Sequence, residues 1–317
     1  MKKKVLAVLL TATMAISMAA CGNSSEGGDK DIKIAYIVKA KTDEFWTAME
    51  KGAYAYAEAN GVELSFQAPE KETDVEKQVQ MVENAVIKGF DAIILSAADS
   101  KSLVPAIVKA NNADIPVILV NDVINEEALS AEGGHVETYV GIDQYEAASL
   151  AGTYAQENTE GGKVAYLEGI SGVAAHEERL NGFKDQVDFE VVSSQTAKCD
   201  RNEAFNVMQN VLSANPEVNV VWAINAEMGQ GAIQAIEQGG FSGKVQVFDF
   251  DASSDDIEAI KAGTLIGSVA QFPNLQAEAA IQACLDVLDG KELEEHTKTK
   301  AELITADNVE DFEAENK

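Results

Sequence analysis

Residues 91–120 read DAIILSAADSKSLVPAIVKANNADIPVILV, and this stretch decides the fold. Asp91–Leu95 is a short apolar run of strand length, and a helix follows near Ser102–Asn111. Ile115-Pro116-Val-Ile-Leu-Val120 is a second apolar run. Strand, helix, strand at this spacing is a crossover unit, because parallel strands need a long connection and that connection is helical. The alternation continues upstream. Ile32–Val38 is a β-branched run, Phe45 to Asn60 has helical spacing and stops at Gly61, and Val62–Phe66 is a strand. The next helix carries Val75, Val79, Val82 and Val86, with Thr73 as expected N-cap and Gly89 at its end.

A polar, glycine-containing stretch around 125–138 marks the candidate boundary, and Tyr139–Ile142 opens a fresh series. Strands are expected at Lys163–Leu167, Phe189–Ser193, Val218–Ala223, Val245–Phe250 and Leu265–Val269. Helices are expected between them at Ala174–Gln186, Asn202–Ser213, Ala226–Gln238 and Ser253–Ala262, with Asp143, Asp200 and Ser253 at N-cap positions. The fold class is therefore α/β, two Rossmann-like lobes with parallel sheets. A helix over Leu275–Leu288 and a strand near Leu303 belong to neither series by position and could return to the first lobe to complete its sheet, in which case several strands cross between the lobes and form a multi-strand hinge. The division is residues 31–142 plus 272–300 for the N-terminal lobe and 143–271 plus 301–317 for the C-terminal lobe.

Composition sets outer limits. The chain has 317 residues, 46% hydrophobic and 24% charged, which is ordinary globular usage and the length of two domains. Lys and Arg number 24 against 53 Asp and Glu, a formal charge of -29. A sequence-independent grip on nucleic acid is electrostatically disfavoured. Cys21, Cys199 and Cys284 make neither a disulfide framework nor a Cys-x-x-Cys pair. His135, His176 and His296 have no metal-ligand spacing, so no metal and no cofactor are expected.

The first residues give an address. Lys2-Lys3-Lys4 precedes an apolar run from Val5 to about Met18 and then Ala19-Ala20-Cys21, the pattern of a secretory signal over residues 1–20. The run is too short to be a permanent membrane span. Small-small-Cys resembles a bacterial lipobox, which makes Cys21 an acylated N-terminus and residues 21–30 a polar, glycine-rich tether on the outer face of the cell membrane. Loss of residues 1–20 removes three lysines and no acid, moving the charge from -29 to -32.

In open parallel sheets, ligands bind outside the carboxyl ends of strands, and two facing lobes put those ends around one cleft. The strand-end residues include Asp43, Phe45, Trp46, Asn121, Asp122, Arg179, Asn225, Asp251 and Gln271. Carboxylates and planar amides suit paired hydroxyls, and aromatic faces suit the C–H patches of a sugar. From about Ile32 to Asn308 the chain resembles the type I periplasmic sugar-binding proteins, the solute receptors of ABC importers, close to their ribose-binding and galactose/glucose-binding members. The resemblance is carried by Ile115-Pro116-Val117 before Asn121, Gly169 to Phe183 with Glu178-Arg179, Asn206 to Asn210, Asn225-Ala-Glu-Met228, and Phe250-Asp251 followed by Ala270-Gln271.

The resemblance implies that Phe45 stacks on the sugar ring and that Asp43, Asn121, Arg179, Asn225, Asp251 and Gln271 bind hydroxyls. It also implies an ABC permease as partner and a monomer that closes on its ligand. Asp122 stands where those relatives carry a cation, Cys199 where they place a second aromatic wall, and no calcium loop occupies Glu157–Lys163. Asp43, Asp122 and Asp251 against Arg179 alone disfavour an anionic ligand, leaving a neutral monosaccharide or polyol, with a cationic amino sugar as the alternative. A signalling receptor of the same fold is the other possible output. An enzyme is the reading from a different class, with Asp249 and Asp251 as the candidate acid–base pair, but the sequence has no Gly-x-Ser-x-Gly elbow and no phosphate loop to go with it.

Overall fold

The computed structural model describes residues 32–41, 43–159 and 162–316. The leader, the tether and Cys21 lie outside the described residues. No helix among those described is long and apolar enough to cross a membrane.

Five βα units come first: β1 (Ile32–Ile37) and α1 (Glu44–Ala59), β2 (Val62–Gln67) and α2 (Val75–Lys88), β3 (Ala92–Leu95) and α3 (Val104–Asn111), β4 (Val117–Val120) and α4 (Glu126–Ala131), β5 (Thr138–Gly141) and α5 (Gln144–Asn158). Five more follow: β6 (Lys163–Glu168) and α6 (Ala174–Lys184), β7 (Glu190–Thr196) and α7 (Arg201–Ala214), β8 (Val220–Ala223) and α8 (Ala226–Gln238), β9 (Gln246–Phe250) and α9 (Ser254–Ala262), β10 (Gly267–Ala270) and α10 (Pro273–Leu288). The chain ends with β11 (His296–Lys298), β12 (Glu302–Thr305) and α11 (Val309–Glu315).

The strands form two six-stranded sheets, ordered β11-β5-β4-β3-β1-β2 and β12-β10-β9-β8-β6-β7. All pairings are parallel except β10 with β12. The first sheet is buried on both sides, and the strand period of two divides its residues. Ile34, Tyr36, Ile94, Ile118 and Val120 pack under α1 and α10, while Ala35, Ile37, Ile93, Leu95, Val117 and Leu119 pack under α2 and α3. The second core is centred on Phe183, Trp222 and Phe248, with the Phe183 and Trp222 rings stacked at 4.6 Å.

Three sequence expectations need correction. Tyr139–Ile142 does not open the second series, since β5 pairs with β4 in the first sheet. The strand near Leu303 does not complete the first sheet: β12 pairs antiparallel with β10, and β11 takes the edge beside β5. Thr73 is not the N-cap of α2; Asp74 holds that position without a side-chain bond. Asp143, Asp200 and Ser253 do cap α5, α7 and α9.

The chain passes from one sheet to the other three times, between β5 and α5, between β10 and α10, and between β11 and β12. These crossings make the hinge. At the second of them Phe272 takes φ 49°. The α5–α6 pair then fixes the second lobe's inner wall. A Cβ on Gly182 would lie 2.4 Å from the Tyr145 carbonyl oxygen, so only glycine lets these helices approach this closely.

Candidate functional site

Twelve residues line one cavity between the lobes: Lys39, Asp43, Phe45, Trp46, Glu72, Asn121, His176, Arg179, Cys199, Asn225, Asp251 and Gln271. Each lies in a connection or helix that follows the carboxyl end of a strand, after β1, β2, β4, β6, β7, β8, β9 or β10. Eight of the nine expected ligand residues are brought together here. Asp122 is not. Asn121 takes φ 63°, and after this turn the Asp122 carboxylate lies under the cavity floor, 1% exposed, where it accepts from Ser96 Oγ at 2.7 Å and pairs with Lys39 Nζ at 3.1 Å.

The wall at the hinge is a connected polar chain. Arg179 donates from Nε to Gln144 Oε1 at 2.8 Å and from Nη1 to the Ile224 carbonyl at 3.1 Å. Its guanidinium lies 4.0 Å from the Phe250 ring centroid and 3.7 Å from Asp251 Oδ1. Gln271 donates to Asp251 Oδ1 at 2.6 Å, and Asn121 donates to Gln271 Oε1 at 2.7 Å. Gln144 Nε2 donates to the Asn121 carbonyl at 3.0 Å. Arg179 is thus buried and planar-stacked, not a helix-surface partner of Glu177 or Glu178. Burial pushes the Asp251 carboxyl upward, against the pull of Arg179 and Gln271.

Two of the lining residues also start helices. Asp43 accepts from Trp46 N at 3.0 Å as the cap of α1, and Asn225 accepts from Met228 N at 3.1 Å as the cap of α8. Capping occupies one oxygen of each and fixes its rotamer, which leaves the other polar atom aimed by the helix start. Burial, reinforced by Glu72, pushes the Asp43 carboxyl up to about 8 despite the Trp46 amide. At neutral pH Asp43 is chiefly protonated. Phe45 and Trp46 are buried and meet edge to face at 4.8 Å.

The corner away from the hinge holds residues that the sequence reading left out or unassigned. Lys39 is 3% exposed, and its Nζ lies 3.3 Å from His176 Nε2 across the cleft and 3.8 Å from Glu72 Oε2. Burial works to lower the Lys39 pKa, but Asp122 and Glu72 outweigh it and the net shift is upward. Arg179 is therefore not the lone cation of the pocket; the expected balance of three carboxylates against one cation is corrected by Lys39, and by Asp122 serving as its counter-ion. Lys39 was findable, since it follows β1 directly. His176 lies three residues before Arg179, hence on the same helix face. Glu72 sits in the β2–α2 connection and has no periodic signal.

Glu72, His176 and Cys199 place one ligating atom each within 4.8 Å of one another. The hydrogen bonding argues against a metal there. Ile170 N donates to His176 Nδ1 at 3.0 Å, so the neutral ring carries its proton on Nε2, the atom that faces the cluster. Burial and the nearby Lys39 and Arg179 hold His176 well below its usual range, and burial pushes the Cys199 thiol well above its own. With an N–H on the His176 atom that faces the cluster and the Lys39 ammonium beside it, the Glu72 carboxylate is left as a lone anionic donor, a poor set for a cation. Nor do the protonated Cys199 thiol and the His176 ring make a nucleophile and base. Asp249 is fully buried beside Asp256 and Gly229 and does not line the cavity that Asp251 faces, so the two carboxylates are not presented to one bond there.

The lobes touch on both sides of the cavity. Ser254 donates from N and Oγ to Glu44 Oε2 at 2.9 and 2.6 Å, and Ser100 N donates to the Gly172 carbonyl at 3.0 Å. The cavity itself is about 20 Å³, room for one water-sized sphere. It shares Asp43, Phe45, Asn225 and Asp251 with a larger interlobe groove of about 680 Å³.

The periplasmic binding protein domain family matches residues 34–292. The chain is 31% identical to the ribose import binding protein of Bacillus subtilis (strain 168), over 96% of this chain and 99% of that protein. Among solved structures, an ABC transporter periplasmic solute binding protein from Actinobacillus succinogenes 130z with bound D-allose superposes with a TM-score of 0.83 at 33% identity, covering 88% of this chain and 99% of that one. An ABC transporter solute binding protein from Bacillus halodurans C-125 with bound myo-inositol gives 0.80 at 30% identity, over 90% and 99%. These relatives are solute-binding proteins, not enzymes, and with two α/β lobes closing on a polar cleft this chain belongs with them to the type I periplasmic sugar-binding proteins of ABC transporters.

Proposed function

We propose that the protein captures a neutral monosaccharide or polyol between its lobes and delivers it, as a membrane-anchored monomer, to an ABC importer permease. One observation carries this reading. Asp43, Phe45 and Asn121 from the first lobe meet Arg179, Asn225, Asp251 and Gln271 from the second in a single cavity. A ligand that bridges both sets makes all of its contacts only when the lobes are closed, so binding shifts the population toward the closed form that a permease can recognise. The cavity is smaller than a sugar, and loading therefore needs the hinge to open and the polar chain to trade internal hydrogen bonds for ligand hydroxyls.

Neutrality follows from the charge count. Asp43, Glu72 and Asp251 face Arg179 and the Lys39–Asp122 ion pair, and burial favours the neutral form of Asp43, so the lining carries little net charge. This favours a neutral ligand over either a sugar acid or an amino sugar. Ribose, named for the Bacillus subtilis relative, and the allose and myo-inositol bound in the two solved structures set the test panel. A thermal-shift and calorimetric screen should show a raised melting temperature with a pentose, hexose or cyclic polyol and none with a sugar phosphate. Tight binding of a uronic acid or a sugar phosphate would overturn the charge argument.

The anchor is a separate part of the reading, supported by the lipobox pattern at Ala19-Ala20-Cys21. Cys21→Ala should release the protein from the membrane fraction, because the tether has no membrane affinity without acyl chains. Retention of that variant on membranes would remove the anchor and leave the binding role standing.

A further inference from the structure

The corner formed by Lys39, Glu72 and His176 has hydrogen-bonding capacity that the protein itself does not use. Glu72 Oε1 accepts from Trp46 Nε1 at 3.1 Å, but Glu72 Oε2 is buried and accepts no hydrogen bond. The two donors nearest to it stop short, Lys39 Nζ at 3.8 Å and His176 Nε2 at 4.0 Å. Those donors in turn face each other at 3.3 Å, and because His176 Nδ1 already accepts from Ile170 N, neither can accept from the other. Lys39 Nζ is held by the Asp122 carboxylate and His176 Nε2 has the Cys199 sulfur at 3.8 Å, so two N–H donors border one spot at which the Glu72 oxygen alone has no partner. A buried polar group left unpaired is costly, so the arrangement calls for a group that completes it.

We propose that Lys39, Glu72 and His176 form a subsite for one hydroxyl of the ligand. A hydroxyl oxygen offers two lone pairs and one proton. It accepts from Lys39 Nζ and from His176 Nε2 and donates to Glu72 Oε2, which satisfies all three groups at once. A carboxylate or carbonyl oxygen would leave Glu72 unpaired, and an ammonium would confront two donors. The subsite spans the cleft, with Lys39 and Glu72 on the first lobe and His176 on the second, so the same hydroxyl helps hold the lobes together. Sites built to hydrogen-bond a particular hydroxyl reject the analogue that lacks it far more strongly than apolar pockets reject a missing methylene. Glu72 is thereby a specificity-determining residue.

This inference rests on the reading that the cleft binds a sugar or polyol, and the test separates the two. D-ribose, D-allose and myo-inositol are titrated calorimetrically into the wild-type protein, followed by every monodeoxy analogue of the tightest binder. One deoxygenation position should weaken binding by about 10- to 100-fold, and Glu72→Gln should weaken the parent compound by a similar factor while losing discrimination at that position alone. The deoxy series on the wild type needs no variant and stands even if Glu72→Gln folds poorly. Equal binding of the parent by wild type and Glu72→Gln, or a deoxy profile unchanged by the substitution, overturns the subsite and leaves the sugar reading intact. Stoichiometric Zn²⁺ binding that Cys199→Ser abolishes overturns it in favour of a metal site. Binding of none of the three compounds removes the sugar reading and the subsite with it.

Discussion

The two ends of the cavity differ in one physical respect. At the hinge end, Asn121, Gln271, Asp251, Arg179 and Gln144 are hydrogen-bonded to one another with little left over. At the far end, Glu72 Oε2 accepts nothing and the Lys39 and His176 donors crowd each other. A satisfied network is stiff and holds its geometry in the absence of a ligand, whereas an unsatisfied cluster is completed by whatever it binds. The hinge end therefore serves stability and binding together, while at the far end the second oxygen of Glu72 is left for binding.

The largest expected effect breaks the hinge end. Arg179→Met keeps the length of the aliphatic stem but removes the stack on Phe250, both donors and the counter-ion of Asp251. Removing one partner of a buried charged pair costs about 3 kcal/mol. The urea midpoint should fall accordingly, and binding of any panel sugar should weaken by more than about 100-fold. Cys199→Ser, at the other end, should move the midpoint by less than about 0.5 kcal/mol. Equal losses of stability in the two variants would erase the distinction between the ends.

The same distinction explains what could be read from the sequence. Phe45, Arg179, Asn225, Asp251 and Gln271 follow strands in a regular βα alternation, and such positions converge on the cleft whatever the details of the loops. Asp122 looked equivalent because it adjoins Asn121, yet the left-handed backbone at Asn121 sends the two side chains to different places. Strand alternation carries no warning of such a turn. Glu72 reaches the cavity through the path of a loop, and a loop path is set by tertiary contacts, here the bond from Trp46 Nε1. β11 is three residues long and its place beside β5 depends on the route taken after α10, so no local pattern could assign it. The two-lobed architecture was legible because it rests on many repeats of one signal.

A middle-sized effect links the ends through protonation. Asp43 holds its proton up to about 8 in the native protein, against an ordinary value of 3.8. Between those values the native state binds more protons than the unfolded chain, so this group makes stability fall as pH rises through the window. Asp256, pushed up to about 6 mainly by burial, acts in the same sense only below that pH. Asn is as good an N-cap as Asp, so Asp43→Asn should keep α1 capped while removing the titration. Between pH 6 and 8 its stability should decline less steeply than that of the wild type, by as much as about 1.4 kcal/mol per pH unit. Parallel pH profiles from urea melts would show that Asp43 is ionised in the folded state.

The smallest expected effect lies outside the cavity and tests closure itself. Glu44, in the first turn of α1, accepts from the N and Oγ of Ser254 in the first turn of α9, so this contact ties one lobe to the other. Both residues are exposed, and the bonds compete with water. Their net worth is about 0.5–1 kcal/mol, helped slightly by a carboxylate at a helix N-terminus. Opening the hinge breaks this contact without disturbing either core. Glu44→Ala should therefore leave the unfolding midpoint almost unchanged while lowering the fraction of closed protein. Apparent affinity scales with that fraction, so the best panel sugar should bind about two- to fivefold more weakly. Small-angle scattering of the unliganded variant should give a larger radius of gyration than the wild type, and saturating sugar should bring the two together. Weaker binding with no change in scattering would place the effect of Glu44 in the cavity, through its neighbour Asp43, and would sever the link between rim contact and closure.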